Sequence, residues 1–127
     1  MRLKLRDGLP FLAVTITCAG KTLELRDVLV DTGSASSIVS ADRLAEIGVL
    51  PSPETAVHYI RGVGGREAVF SRRVDSVRVG AFEQRNFEVD VGGMDYGFPI
   101  QGILGMDFLR ASRAVVDLGR LALEFAP

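Results

Sequence analysis

Val28-Leu29-Val30-Asp31-Thr32-Gly33-Ser34 passes from an apolar run into a carboxylate, a hydroxyl, a glycine and a second hydroxyl with no spacer. The apolar half has the composition of a strand. The strand's end places Asp31 where the carboxylate is partly desolvated and suited to exchanging protons. Gly33 lets the backbone turn sharply and lets other backbone approach closely. Thr32 and Ser34 supply hydroxyl donors that could orient the carboxylate. A bland reading of the same residues is an Asx-turn at a strand end with no chemistry.

Outward from this stretch, alternation of apolar and polar residues dominates. Leu12, Val14, Ile16 and Cys18 fall on one face of a strand over Phe11–Cys18. Ala19-Gly20-Lys21 reads as a tight turn, and Leu23–Val30 as the next strand, whose period of two puts Leu25, Asp27, Leu29 and Asp31 on one face. Further strands are expected at Ala56–Arg61, Glu67–Val74, Ser76–Val79 and Asn86–Val91, with a hairpin around Gly80-Ala81-Phe82. A last pair, Ala114–Leu118 and Leu121–Phe125, joins across Gly119-Arg120. Two short helices are expected: Ala41–Ile47, capped by Ser40 and stopped at Gly48, and Met106–Arg110. The 14 glycines and closely spaced strands point to an all-β, barrel-like domain.

The bulk properties narrow the function. A length of 127 residues predicts one domain spanning 1–127. The 15 Lys and Arg balance 16 Asp and Glu, so no electrostatic footprint for nucleic acid or an anionic membrane is present. No apolar run is long enough to span a bilayer, and the N-terminus lacks an apolar signal-peptide core. A cytoplasmic protein is expected. Cys18 stands alone, so it forms no internal disulfide, and with His58 as the one histidine no structural zinc site is expected. No metal or cofactor is expected.

Two further segments accompany Asp31-Thr32-Gly33-Ser34: the glycine-rich Gly62-Val63-Gly64-Gly65 between two strand-like runs, and Ile103-Leu104-Gly105 followed by Met106-Asp107-Phe108-Leu109-Arg110. In this order the three resemble the retropepsin-like aspartic peptidases, over most of the chain from Phe11 to Phe125. The Ile-Leu-Gly-Met-Asp-Phe-Leu form is similar to the cellular, bacterial branch. The resemblance implies a small closed β-barrel that dimerises, with Asp31 as the catalytic aspartate. Thr32 would lock the two active-site loops together across the dimer, and the Gly33 carbonyl would face substrate. Ser34 and Leu29 would line the substrate side. Tyr59 to Arg66 would form the flap, with Gly62, Val63, Gly64 and Gly65 at its tip. Ile103 would line a pocket where its segment crosses behind the catalytic loop. Retroviral members carry an acidic residue where Ala35 stands and an arginine after the Ile-Leu-Gly segment. This chain has neither, with Ala35 and Asp107 in those regions, so those contacts do not carry over. Tyr96, Phe98 and Ile100, in the long connection from Val91 to Gln101, could wall the cleft or could be a packed loop.

Hydrolysis by this route needs two carboxylates flanking one water. Only one Asp-Thr-Gly is present, so the second must come from another copy, a homodimer with one interface used twice. The terminal strand Leu121–Phe125 could pair with the partner or serve as an intrachain edge. The substrate implied is an extended peptide. The competing reading is a catalytically silent retropepsin-like module that binds peptides or dimerises. His58 and Cys18 read as a surface or strand histidine and a small buried hydrophobe. The arginines at 61, 66, 72, 73 and 78 read as a solvated hairpin face, or as a mildly basic surface that could favour acidic peptide partners.

Overall fold

A computed structural model describes residues 1–52, 55–62, 65–97 and 99–127, with residues 61, 62 and 65 described in backbone only. The expected positions Val63, Gly64 and Phe98 lie outside the described residues.

The chain begins as two hairpins. β1 (Lys4–Arg6) turns through Asp7 and Gly8 into β2 (Leu9–Cys18), and β2 turns through Ala19 and Gly20 into β3 (Lys21–Val30). Both two-residue turns have positive φ at each position, 53° and 78° in the first and 51° and 78° in the second. This is the backbone twist that matches antiparallel strands. β4 (Ile38–Ser40) follows the Asp31 loop and leads into α1 (Ala41–Ala45). The Ser40 hydroxyl accepts a hydrogen bond from Arg43 N at 3.3 Å, and Gly48 lies past the helix end with φ +80°, as the capping pattern predicts.

β5 (Val57–Gly62), β6 (Gly65–Val79) and β7 (Phe82–Gly92) form an antiparallel meander. The two strands expected at Glu67–Val74 and Ser76–Val79 are one continuous strand, because β6 changes partners along its length without breaking. It pairs with β5 near its start and with β2 at Ser76–Arg78. β7 begins at Phe82, ahead of the expected Asn86, which sits within the strand at φ 55°. β8 (Gly102–Leu104) precedes α2 (Met106–Ala111), and β9 (Ala114–Asp117) pairs with β10 (Ala122–Phe125).

β8 runs parallel to β3 on one side and antiparallel to β4 on the other. The pairings β2–β3, β3–β8, β8–β4, β4–β7, β7–β6 and β6–β2 close these six strands on themselves. An all-β fold with two short helices is therefore what the chain adopts. Among the described residues, no helix is long and apolar enough to cross a membrane.

One expectation about β3 is overturned. Leu12 opposes Val28 while Val14 opposes Leu25, so β3 carries an extra residue in a β-bulge. The side-chain phase shifts there. Leu25 (1% exposed) and Val28 (3% exposed) both face the main core, so Leu25 and Leu29 do not share a face. Leu29 instead joins a second, separate apolar cluster made by Phe11, Ile38, Met94, Ile100 and Ile103, with Ile60 packed on it. Phe11, Leu29, Ile103 and Ile38 are cross-strand partners in one row over β2, β3, β8 and β4. The bulge thus gives the sheet two apolar faces: one closes the interior, and the other lies beside Asp31.

Candidate active site

Asp31 lies one residue past the end of β3 and is half-buried. Its N–H donates to the Leu104 carbonyl at 3.0 Å, which extends the β3–β8 pairing into the loop. One carboxylate oxygen, Oδ1, accepts the Gly33 N–H at 2.8 Å. A backbone donor therefore orients the carboxylate. The Ser34 hydroxyl, expected in that role, donates instead to the Ser36 carbonyl at 2.7 Å. A Cβ on Gly33 would lie 3.2 Å from Asp31 Oδ1, so the glycine leaves room for this turn. Thr32 and Gly33 are exposed and Ser34 is half-buried.

Three attachments hold the loop from behind. First, Gly105 follows β8 directly and its backbone lies against the loop: a Cβ there would come within 2.8 Å of the Ser34 carbonyl oxygen and 2.7 Å of the Ser36 carbonyl carbon. Second, the first turn of α2 donates into the loop, Met106 N to Ser34 O at 2.8 Å and Asp107 N to Ala35 O at 3.2 Å. The Asp107 carboxylate completes this contact, accepting from Ser37 N at 3.0 Å and from the Ser37 hydroxyl at 2.7 Å. The same hydroxyl accepts from Gly105 N at 2.9 Å. Third, the buried Asp90 carboxylate on β7 accepts from the Ser36 hydroxyl at 2.6 Å and the Ser71 hydroxyl at 3.2 Å, with His58 Nε2 at 3.3 Å. α2 itself is seated by Phe108, fully buried and edge-on to Phe82 and Phe87 at 5.7 and 5.8 Å. Each such aromatic pair adds about 0.5–1.5 kcal/mol beyond burial.

Asp107, Ser37 and Asp90 were missed from the sequence. A signal existed in part: the hydroxyl run Ser36-Ser37 follows Asp-Thr-Gly-Ser, and an acidic residue stands two positions after Gly105. Removing the Asp107 carboxylate leaves two loop donors of Ser37 without their acceptor. Asp107→Ala is therefore expected to cost about 2–3 kcal/mol, read as a lowered urea midpoint with an unchanged slope.

The other expected positions divide clearly. Leu29, Ile100 and Ile103 come together in the second apolar cluster. Ile100 is 7% exposed and packs into that cluster, while Tyr96 is 41% exposed. Gly62 and Gly65 are the last paired residues of the β5–β6 hairpin. The hairpin reaches the cluster through Ile60. His58 is on the strand expected for it, and Cys18 is buried. Among the described residues, no group of three His, Cys, Asp or Glu side chains is placed to hold a metal ion.

A six-stranded closed sheet with Asp-Thr-Gly on a loop braced by a crossing Ile-Leu-Gly strand defines the retropepsin-like class of aspartic peptidase folds. The sequence profile of the family described as Aspartyl protease matches residues 14–108, and the chain belongs to that family. A retropepsin-like aspartic protease from Rickettsia conorii is similar in structure, with TM-score 0.66, 18% identity, and coverage of 91% of this chain and 82% of that one. EIAV protease, solved with the inhibitor HBY-793, is similar with TM-score 0.62, 23% identity, and coverage of 91% and 98%. A comparison with curated proteins finds no match.

Proposed function

We propose that the chain is an aspartic endopeptidase that acts as a homodimer on extended peptides. The observation that carries this reading is the Asp31 carboxylate, half-buried and oriented by the Gly33 N–H at 2.8 Å on a loop tied to β8 and α2. A carboxylate held this firmly has its lone pairs preset toward one point, and the reaction needs such preorganisation.

In the dimer, Asp31 of each copy flanks one water. Two carboxylates about 3 Å apart cannot both ionise readily, so they share one proton; aspartic proteases are the established instance of this effect. The ionised partner takes a proton from the water as it attacks the scissile carbonyl carbon. The protonated partner donates to the carbonyl oxygen, giving a gem-diol. One carboxyl then gives its proton to the amide nitrogen while the other carboxylate takes a proton from a gem-diol hydroxyl; the C–N bond breaks, releasing acid and amine, and the shared-proton state returns. Thr32, Gly33 and Ser34 serve this step by shaping the loop and its contact with the second copy. Leu29, Ile100 and Ile103 form the apolar wall that takes a substrate side chain. The β5–β6 hairpin, with Gly62 to Gly65 at its end, closes over the peptide and offers backbone groups to it.

Within one chain both edges of β10 are occupied, which favours an interface at another surface. One side of β10 pairs with β9; the other meets the N-terminal residues, with Arg2 bridged to Ala122, Leu3 N donating to Leu121 O at 2.7 Å and Leu123 N donating to Met1 O at 2.7 Å. Exposed Val115 and Leu118 on the β9 side, 49% and 64% accessible, are the apolar residues a second copy would cover.

Activity against total protein concentration tests the reading. Below the dimer dissociation constant the rate should rise with the square of concentration and become linear above it. A linear rate throughout, from a species that sediments as a monomer, would remove the shared-site reading. Peptide binding without any cleavage would favour the silent module.

A further inference from the structure

The β5–β6 hairpin is charged unequally on its two faces. Glu67 opposes Ile60 across the strand pair, and cross-strand partners share a face. Ile60 packs on the cluster of Leu29, Ile100 and Ile103, so Glu67 is on the side that faces the peptide wall. The next residue, Arg66, stands on the opposite side, its guanidinium 4.8 Å above the ring of exposed Tyr59. No Lys, Arg or His side chain forms an ion pair with Glu67 among the described residues. His58, on the same face, is turned to Asp90.

Two features hold the Glu67 carboxylate in place. Oε1 rests against Gly92, where a Cβ would come within 2.5 Å of it, so a larger residue there would displace the carboxylate. Oε2 accepts a hydrogen bond from the Tyr96 hydroxyl. Burial pushes the Tyr96 phenol up from its ordinary value. The Glu67 carboxylate adds to that shift and the Asp31 carboxylate contributes after it, so the phenol stays a donor and lies within the field of both. A half-buried carboxylate with a neutral donor and no cationic partner among the described side chains has Coulomb attraction left to offer a ligand.

We propose that Glu67, steadied by Tyr96 and Gly92, is a specificity-determining residue that selects substrates with a lysine or arginine beside the apolar wall of Leu29, Ile100 and Ile103. The inference rests on the peptide-cleft reading above and names the substrate class for it. The long apolar stem of a lysine or arginine packs on the wall while the charged head reaches the carboxylate. In a two-fold assembly each half-site brings its own Glu67, so the preference appears on both sides of the scissile bond.

The test uses peptide sets that carry Lys, Arg, Gln or Glu at each position in turn. They are scored as kcat/KM on the wild type and as Kd on Asp31→Asn, which should hold peptides uncut. At one position per half-site, basic residues should be favoured over Glu by about tenfold or more. Glu67→Gln should bring the ratio within about threefold, and Glu67→Lys should invert it. Tyr96→Phe, which keeps the carboxylate, should retain a basic preference. An equal ratio in wild type and Glu67→Gln overturns the proposal. So does a wild type with no basic preference, whatever the variants do. Cleavage without charge selection removes the Glu67 assignment alone. Charge-selected binding without cleavage removes the peptidase reading and leaves Glu67 standing. No peptide binding at all overturns both.

Discussion

Asp31→Asn is expected to lower kcat/KM for any cleaved peptide by about 10,000-fold, the scale on which removing one member of a cooperating catalytic set acts. The carboxamide is nearly isosteric, and its oxygen still accepts the Gly33 N–H that Oδ1 accepts now at 2.8 Å. The loop therefore keeps its shape, and the thermal midpoint should stay within about 2 °C. What is lost is the proton exchange: two amides cannot share a proton or accept one from water. A mixing experiment separates a shared site from an independent one. When wild type and Asp31→Asn are combined equally and allowed to re-equilibrate, random pairing leaves roughly a quarter of the dimers with two aspartates. Activity should fall to about a quarter of that of the same total of wild type. A fall to one half would mean each chain works alone.

Gly105→Ala should damage the protein as a whole. The added methyl would sit within 2.8 Å of the Ser34 carbonyl oxygen and 2.7 Å of the Ser36 carbonyl carbon, closer than non-bonded atoms pack. No side-chain rotation relieves a clash between two main chains, so either β8 or the Asp31 loop must move. Movement of the loop breaks the Met106 N to Ser34 O bond at 2.8 Å and the Gly105 N to Ser37 Oγ bond at 2.9 Å. A cost of about 3 kcal/mol or more is expected, at the upper end for overpacking. That corresponds to a midpoint lower by roughly 10 °C in a chain of this size. Chemical denaturation with circular dichroism reads the loss directly. A substitution at Gly93, where an added Cβ meets nothing within 4 Å, is the control for a glycine that is not crowded. A Gly105→Ala protein as stable as wild type would mean that the strand and loop do not cross as described.

Much of the site was legible because its chemistry is local. Asp31, its glycine and its flanking apolar strand are consecutive, and the turns and the Ser40 cap follow from residue types at adjacent positions. The alternation of β2 survived intact: Leu12, Val14, Ile16 and Cys18 are all buried. The same rule failed on β3, since a bulge is set by how two strands fit and has no residue signature at Arg26 or Asp27. The braces were illegible for a related reason. Asp107 reaches Ser37 and Asp90 reaches Ser36 across separations of 70 and 54 residues. Pairs so far apart meet only after the sheet has closed.

The sequence by itself determined the strand-rich class, the single Asp-Thr-Gly, and hence the need for a second copy if Asp31 is to act as one of two. These are counts and short periodicities, carried by residues within a few positions of one another. Only the tertiary structure decided which face of β3 meets the apolar wall, which groups brace the Asp31 loop, and that Glu67 lies opposite Ile60 beside that wall. Such facts depend on strand register, and a shift of one residue turns every side chain to the other face. Register is set by the packing of the whole closed sheet, which no short stretch of the chain specifies alone.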